Sequence, residues 1–183
     1  MRARLLHAAL LGLIGAGIVH IVILFLLPDM SPRDAWSRLA GQADTYQVST
    51  YAADSAISGP AGVADPFFQA VACRFDLADG VTHVHREGRV PYWSASVYDR
   101  GGRNLYSLND RSATDGQLDL VVLTPDQMVD MRKSPLEELE NAIFVEAPIG
   151  EGIVVIRGFA PDGSWARTVS DYLNAIECVA QTS

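Results

Sequence analysis

Two histidines one residue apart, His83 and His85, with Glu87 two further on, come nearest in this sequence to a metal-ligating pattern. On a β-strand alternate side chains share a face, so the three would project together. Imidazole and carboxylate donors suit zinc or a non-haem iron, but such a centre also needs a ligand from a distant segment and outer partners that fix the rings. The cupin-like pattern places three or four residues between the second His and the Glu, whereas only Arg86 intervenes here and Gly88 marks the strand end. His83, His85 and Glu87 are therefore a weak metal candidate beside the simpler reading of a solvated strand edge, and no cofactor is expected.

A denser polar group follows. Tyr98, Asp99, Arg100, Arg103, Asn104, Tyr106, Asn109, Asp110 and Arg111 crowd one short stretch around Gly101-Gly102. Turn chemistry and Asp–Arg pairs that fix loops account for most such clusters. The sharper reading makes Tyr98, Asp99, Arg103, Asn104, Tyr106, Asp110 and Arg111 a recognition surface for an acidic or hydroxylated ligand or a partner, since Arg forks and Tyr hydroxyls are enriched there. No Gly-x-Ser-x-Gly elbow, phosphate loop, dinucleotide fingerprint or His-Glu-x-x-His motif occurs. Nothing in the order of Ser, His and Asp selects a triad.

The elements that must position these residues can be read from pattern. Val81 to Arg86 reads as a strand, as does Pro91 to Tyr98, where Trp93, Ala95 and Val97 alternate with polar neighbours. Asp99-Arg100-Gly101-Gly102 supplies a hairpin turn, with Arg103 to Leu108 returning as the partner strand. Leu118 to Leu123 is a buried strand that runs into Thr124-Pro125-Asp126-Gln127, a capping-box spacing with proline at the first helical position. Ala142 to Glu146 and Gly152 to Arg157 are Val- and Ile-rich strands joined through Pro148 and Gly150. Asp65-Pro66 followed by Phe67, Phe68, Val71 and Cys73 predicts a short buried helix, with a strand as the alternative. Trp165, Val169, Leu173, Ile176 and Ala180 predict one C-terminal helix of about four turns. Strands grouped between helices point to an α+β domain, sandwich-like and mainly antiparallel, closed by that helix.

The segments Ala72-Cys73-Arg74-Phe75-Asp76-Leu77-Ala78-Asp79-Gly80, Pro91-Tyr92-Trp93-Ser94 and Tyr98-Asp99-Arg100-Gly101-Gly102-Arg103-Asn104-Leu105-Tyr106-Ser107-Leu108-Asn109-Asp110-Arg111 resemble bacterial proteins of domain-of-unknown-function family 1254. The resemblance runs from about Asp65 to the C-terminus. Tyr-Ser-Leu-Asn-Asp-Arg also resembles the sister family 1214, whose β-rich domain follows the first in longer, two-domain envelope members. The resemblance implies that a separate partner chain could supply that second domain, and it carries no catalytic motif.

From Leu5 to Leu27 the chain runs 23 residues without a formal charge, long enough as a helix at ~1.5 Å per residue for a ~30 Å hydrocarbon core. Leu26-Leu27-Pro28-Asp29-Met30 follows where a cleavage site of small residues would be needed, so an uncleaved anchor is favoured over a processed, secreted protein. Arg2 and Arg4 place residues 1–4 in the cytoplasm and the rest outside, at a bacterial inner membrane with the C-terminal domain in the periplasm. Residues 28–64 read as a juxtamembrane helix, started at Ser31-Pro32 and stopped by Gly41, then a linker. Trp36 and Leu39 suit contact with lipid headgroups, with an ordinary linker helix as the equal alternative. The extracytoplasmic domain occupies 65–183.

Within the anchor Ala8, Gly12, Ala16 and His20 recur every four residues along one stripe, which predicts pairing with a second helix. Of 14 basic residues two precede the anchor, leaving 12 against 22 acidic ones and a net charge of −10. Nucleic acid and anionic lipid surfaces are thereby disfavoured as partners. Cys73 and Cys178 are the only cysteines, and outside the cytoplasm they are expected to form a disulfide. Together these features predict a membrane-anchored, non-catalytic binding or assembly module, pairing as a homo-oligomer or with a separate chain carrying the sister domain. The alternative is an envelope enzyme, a metal-assisted hydrolase or oxidoreductase, using His83 and His85.

Overall fold

The computed structural model describes residues 2–30, 35–41, 43–50 and 67–182. The chain divides into two compact units, Met1–Arg33 and Asp34–Ser183. The first is helix α1 (Arg2–Met30), whose stretch Arg2–Leu26 is long and apolar enough to cross a membrane. Those 25 residues span ~37 Å at ~1.5 Å each, more than a ~30 Å hydrocarbon core requires. Ala8, Gly12, Ala16 and His20 all lie on it, and a Cβ added at Gly12 would meet no atom within 4 Å.

The second unit is α+β. In chain order it contains α2 (Ala35–Ala40), β1 (Val48–Thr50), β2 (Phe68–Asp76), β3 (Val81–Arg86), β4 (Trp93–Asp99), β5 (Asn104–Asn109), β6 (Leu118–Leu123), α3 (Pro125–Lys133), β7 (Ile143–Glu146), β8 (Glu151–Phe159), α4 (Ala166–Asn174) and β9 (Glu177–Gln181). Two sheets form, in the orders β1-β2-β8-β4-β5 and β7-β6-β3-β9, antiparallel throughout except for the parallel pair β6–β7. Their inner faces share one core of Val71, Phe75, Val84, Trp93, Val97, Leu120, Val154 and Ile156. A second cluster under α3, containing Val81, Val121, Leu123, Met131 and Leu139, covers part of the outer face of the β3 sheet.

Several elements follow directly from local chemistry. The Thr124 hydroxyl accepts from the Gln127 amide while the Gln127 side chain accepts from the Thr124 amide, the reciprocal box that starts α3. The β4–β5 hairpin turns through Gly102 at φ +89°, a conformation glycine adopts without steric cost. Trp93 is buried and its indole N–H donates to the Gly116 carbonyl at 2.9 Å, so its one polar atom is satisfied inside the core.

The structure corrects four expectations. Phe68–Asp76 is a nine-residue strand, not a short helix. It lies inside its sheet with the core on one face and α2 on part of the other, so both faces are apolar and the strand alternation that would have identified it is lost. The C-terminal helix stops at Asn174, and Ile176 to Ala180 enter or precede strand β9. Cys178 there is buried and turns inward. Strand β1 pairs with β2 inside the stretch read as linker. Finally, Leu39 is buried against Ala72, Ile153 and Val155, and Trp36 lies between the Arg74 and Arg100 guanidiniums at 4.3 and 4.8 Å. The apolar side of α2 is thus spent on the sheet, not on headgroups. The proposed helix start at Ser31-Pro32 lies outside the described residues.

Cys73 on β2 and Cys178 on β9 are joined by a disulfide, with Cα atoms 6.6 Å apart. The bridge crosses the core and ties one sheet to the other. The two strands read through Pro148 and Gly150 also separate, β7 into one sheet and β8 into the other.

Candidate functional site

His83 and His85 project from β3 on the sheet face away from the core, their rings stacked 4.3 Å apart and 18° from parallel. The neighbouring strands place Asp119 and Glu177 directly opposite His85. Each imidazole takes one carboxylate: His83 Nε2 lies 2.8 Å from Asp119 Oδ1 and His85 Nε2 lies 3.6 Å from Glu177 Oε2. Since a carboxylate can only accept, His83 Nε2 carries the proton, and Nδ1 is left to accept from the Gln181 amide at 3.4 Å. Both nitrogens of His83 are therefore engaged within the fold.

Glu87 does not join them. Strand β3 ends at Arg86, Glu87 is exposed beyond it, and Asp119 and Glu177 occupy the carboxylate positions instead. Among the described residues no three His, Cys, Asp or Glu side chains converge as a metal centre needs. A cleft of about 290 Å³ does open over the pair, lined also by Arg86, Gln117, Glu138 and Glu87 itself, which pairs with neither ring. Asp119 and Glu177 could not be linked to the histidines from sequence, because the pairing depends on the register of strands far apart in the chain.

Burial pushes the His83 imidazole below its ordinary pKa, the Asp119 hydrogen bond opposes this, and the His85 ring adds to the lowering. A depressed folded-state pKa means that the unfolded chain binds more protons in the interval below about 6.5. The stabilising contribution is thus fully present above that value and is lost as pH falls through the folded-state pKa. Replacing His83 with Gln, whose amide can still donate to Asp119, should flatten the fall in denaturation midpoint between pH 7.5 and 5. An unchanged profile would place the acid sensitivity elsewhere.

The hairpin residues do not act as one group. Asp99 and Arg103 brace the turn, with the Asp99 carboxylate accepting from the Arg103 amide at 2.8 Å and from Arg103 Nε at 3.0 Å. Arg100 pairs with Glu151. Asp110 and Arg111 lie at the opposite end of β5, where the Asn109 side chain accepts from the Arg111 amide and starts a short 3-10 turn. Tyr106 is exposed.

Only Tyr98 and Asn104 of this set meet on one face, directly opposite each other in the β4–β5 ladder. Trp93, Ala95 and Val97 fill the core, so Ser94, Ser96 and Tyr98 point outward. There Ser96 and Ser107 share a 3.0 Å hydrogen bond, Asn104 donates to Ser107, and Arg157 from the adjacent strand donates to the Tyr98 hydroxyl at 3.5 Å. Burial would raise the Tyr98 phenol, but the hydrogen bonds from Arg157 and Asn104 and the Arg157 charge leave it below its usual value. Arg157, Ser96 and Ser107 were not singled out in the sequence, where an arginine in a Val- and Ile-rich strand carries no signal of its neighbours.

The fold class is an α+β sandwich of two mostly antiparallel sheets beside a separate apolar helix. Among solved structures it is similar to the VPA0106 protein from Vibrio parahaemolyticus, with a TM-score of 0.57 and 11% identity over 80% of this chain and 34% of that one. A protein of undescribed function from Burkholderia cenocepacia aligns with a TM-score of 0.44 and 16% identity, over 71% of this chain and 35% of its own. This chain spans about a third of the length of each. No family model matches it. No curated protein matches it either.

Proposed function

We propose that this chain is a bacterial envelope protein held in the inner membrane by α1, with its α+β domain in the periplasm acting as a non-catalytic binding or assembly module. The observation that carries this reading is the way the reactive side chains pair with each other. His83 is closed by Asp119 and Gln181, and Asp99 by Arg103. Groups so engaged build a scaffold rather than act on a substrate. The likeness to a solved chain of which this one covers only 34% supports a module that works beside further protein. The resemblance of the 72–80, 91–94 and 98–111 segments to families 1254 and 1214 favours a second anchored chain as that partner, with the Tyr98–Arg111 hairpin as the contact surface.

The stripe Ala8, Gly12, Ala16 and His20 is the proposed pairing face of the anchor, since small residues let helices approach and an intramembrane imidazole gains from a partner across the interface. The test uses intact cells carrying Arg111→Cys in the full chain, treated with a membrane-impermeant thiol crosslinker. A discrete crosslinked species is expected, weakened several-fold by Gly12→Ile through steric obstruction and by His20→Leu through loss of the polar contact. No crosslinking despite labelling of the new cysteine, or equal yield in both anchor variants, would overturn the pairing.

A further inference from the structure

The outer face of the five-stranded sheet holds a guanidinium that meets no carboxylate among the described residues. Arg157 sits on the central strand β8, half-buried, with Ala70 directly opposite on β2 and Ser94 on β4. Both neighbours are small, so neither side chain walls in the guanidinium, although Ala70 also packs against the cluster under α2. One row along the strands, Phe68, Phe159 and Tyr92 form an aromatic wall, with ring centroids 5.3 Å apart for Phe68–Phe159 and 6.5 Å for Phe68–Tyr92. On the other side the next row, Ala72 and Val155, is covered by Leu39 of α2. Asn109 lies opposite Ser94, so hydroxyl and amide groups continue this face toward β5.

Four other cations of this domain have partners. Arg100 meets Glu151, Arg103 meets Asp99, Lys133 meets Asp130, and Arg74 stacks on Trp36 while donating to the Ala43 carbonyl at 2.7 Å. Arg157 has one neutral hydroxyl at 3.5 Å. A guanidinium stays charged at any accessible pH, and its planar fork of donors is best satisfied by a bidentate carboxylate. That the described residues of an acidic domain leave such a group half-buried without an acid is the ground for looking to an acid supplied from outside.

We infer that Arg157, Ser94 and the Tyr98 hydroxyl, beside the Phe68–Phe159–Tyr92 wall, form a binding site for a carboxylate attached to an aromatic or aliphatic body. The carboxylate forks onto Arg157 and accepts from Ser94 while its apolar body packs on the rings. A small free acid and the terminal carboxylate of a polypeptide share this chemistry. The site shares Tyr98 with the proposed contact surface but does not depend on a partner, since this chain alone makes it.

The test is a titration of the full chain in neutral detergent micelles, with arginine labelled by nitrogen-15 at Nε. Phenylacetate is the probe for a free acid, and a short peptide ending in an unblocked phenylalanine is the probe for a chain terminus. Each is compared with its amide. One resonance, identified by its absence in Arg157→Gln, should move saturably at low-millimolar concentrations or below, and the Tyr98 phenol should titrate at higher pH once the guanidinium is neutralised. Ser94→Leu, which sets a bulky apolar side chain beside the guanidinium and keeps its charge, should weaken binding at least tenfold. Tighter binding of the peptide identifies a chain terminus as the occupant, and binding of phenylacetate alone a small ligand. No saturable shift with either acid, equal shifts with the amides, or full binding in Ser94→Leu would overturn the assignment. Because no partner is present, that failure is distinguishable from failure of the anchor-pairing experiment.

Discussion

Removing the Cys73–Cys178 bridge should destabilise the outer domain by roughly 4 to 5 kcal/mol in the loop-entropy description. The two residues are 105 positions apart, so the bridge closes most of the folded unit into one loop and restricts the unfolded chain severely. It also couples β2, which lies inside one sheet, to β9, which is held in the other only through β3. For a domain of this size the loss corresponds to a fall in melting temperature on the order of 10 to 20 °C. Full-length protein carrying Cys73→Ala and Cys178→Ala, melted in detergent and followed by circular dichroism at wavelengths where β structure dominates, measures it. A change below about 1 kcal/mol would mean that packing alone fixes β9. Air-oxidised protein with two alkylatable thiols would remove the premise.

How far the fold was legible depended on whether each element met solvent. The β4–β5 hairpin, the capped start of α3 and strand β6 carry local signals, namely alternation, paired glycines and a Thr-x-x-Gln box, and each formed where expected. Strand β2 carries no such signal, because Ala70 and Ala72 lie in or against the cluster under α2 while Val71, Cys73 and Phe75 fill the main core. The end of α4 failed differently. Ile176 continues the 165–169–173 spacing by coincidence, with no Gly or Pro between to break it, and it is pairing of the next residues with β3 that ends the helix. The candidate sites show the same division. Tyr98 and Asn104 were visible as types within one hairpin, whereas Arg157, the partner of Tyr98, and the acids of His83 and His85 come from strands whose register no local pattern records.

Gly152→Ala should be among the most damaging single substitutions in the domain, at about 3 kcal/mol, the upper part of the range for overfilled cores. Gly152 lies on β8 between Phe75 and Asp99 in the sheet register and faces the core. A Cβ there would stand 2.5 Å from Phe75 Cζ and 2.7 Å from the Tyr98 carbonyl oxygen. The ring could in principle turn, but Phe75 is completely buried, and the carbonyl belongs to β4 and moves only if that ladder opens. The two obstructions can be separated. Phe75→Leu removes the first and leaves the second, so the double variant should be less destabilised than the sum of the singles by about 1 kcal/mol, a coupling expected of groups in contact. Strict additivity, or a Gly152→Ala protein as stable as the parent, would show that the strands shift freely to make room. The backbone obstruction has its own readout, because displacing the Tyr98 carbonyl moves that residue against Arg157. Spectrophotometric titration of Gly152→Ala should therefore return the Tyr98 phenol toward its ordinary value, and Phe75→Leu should not reverse that return.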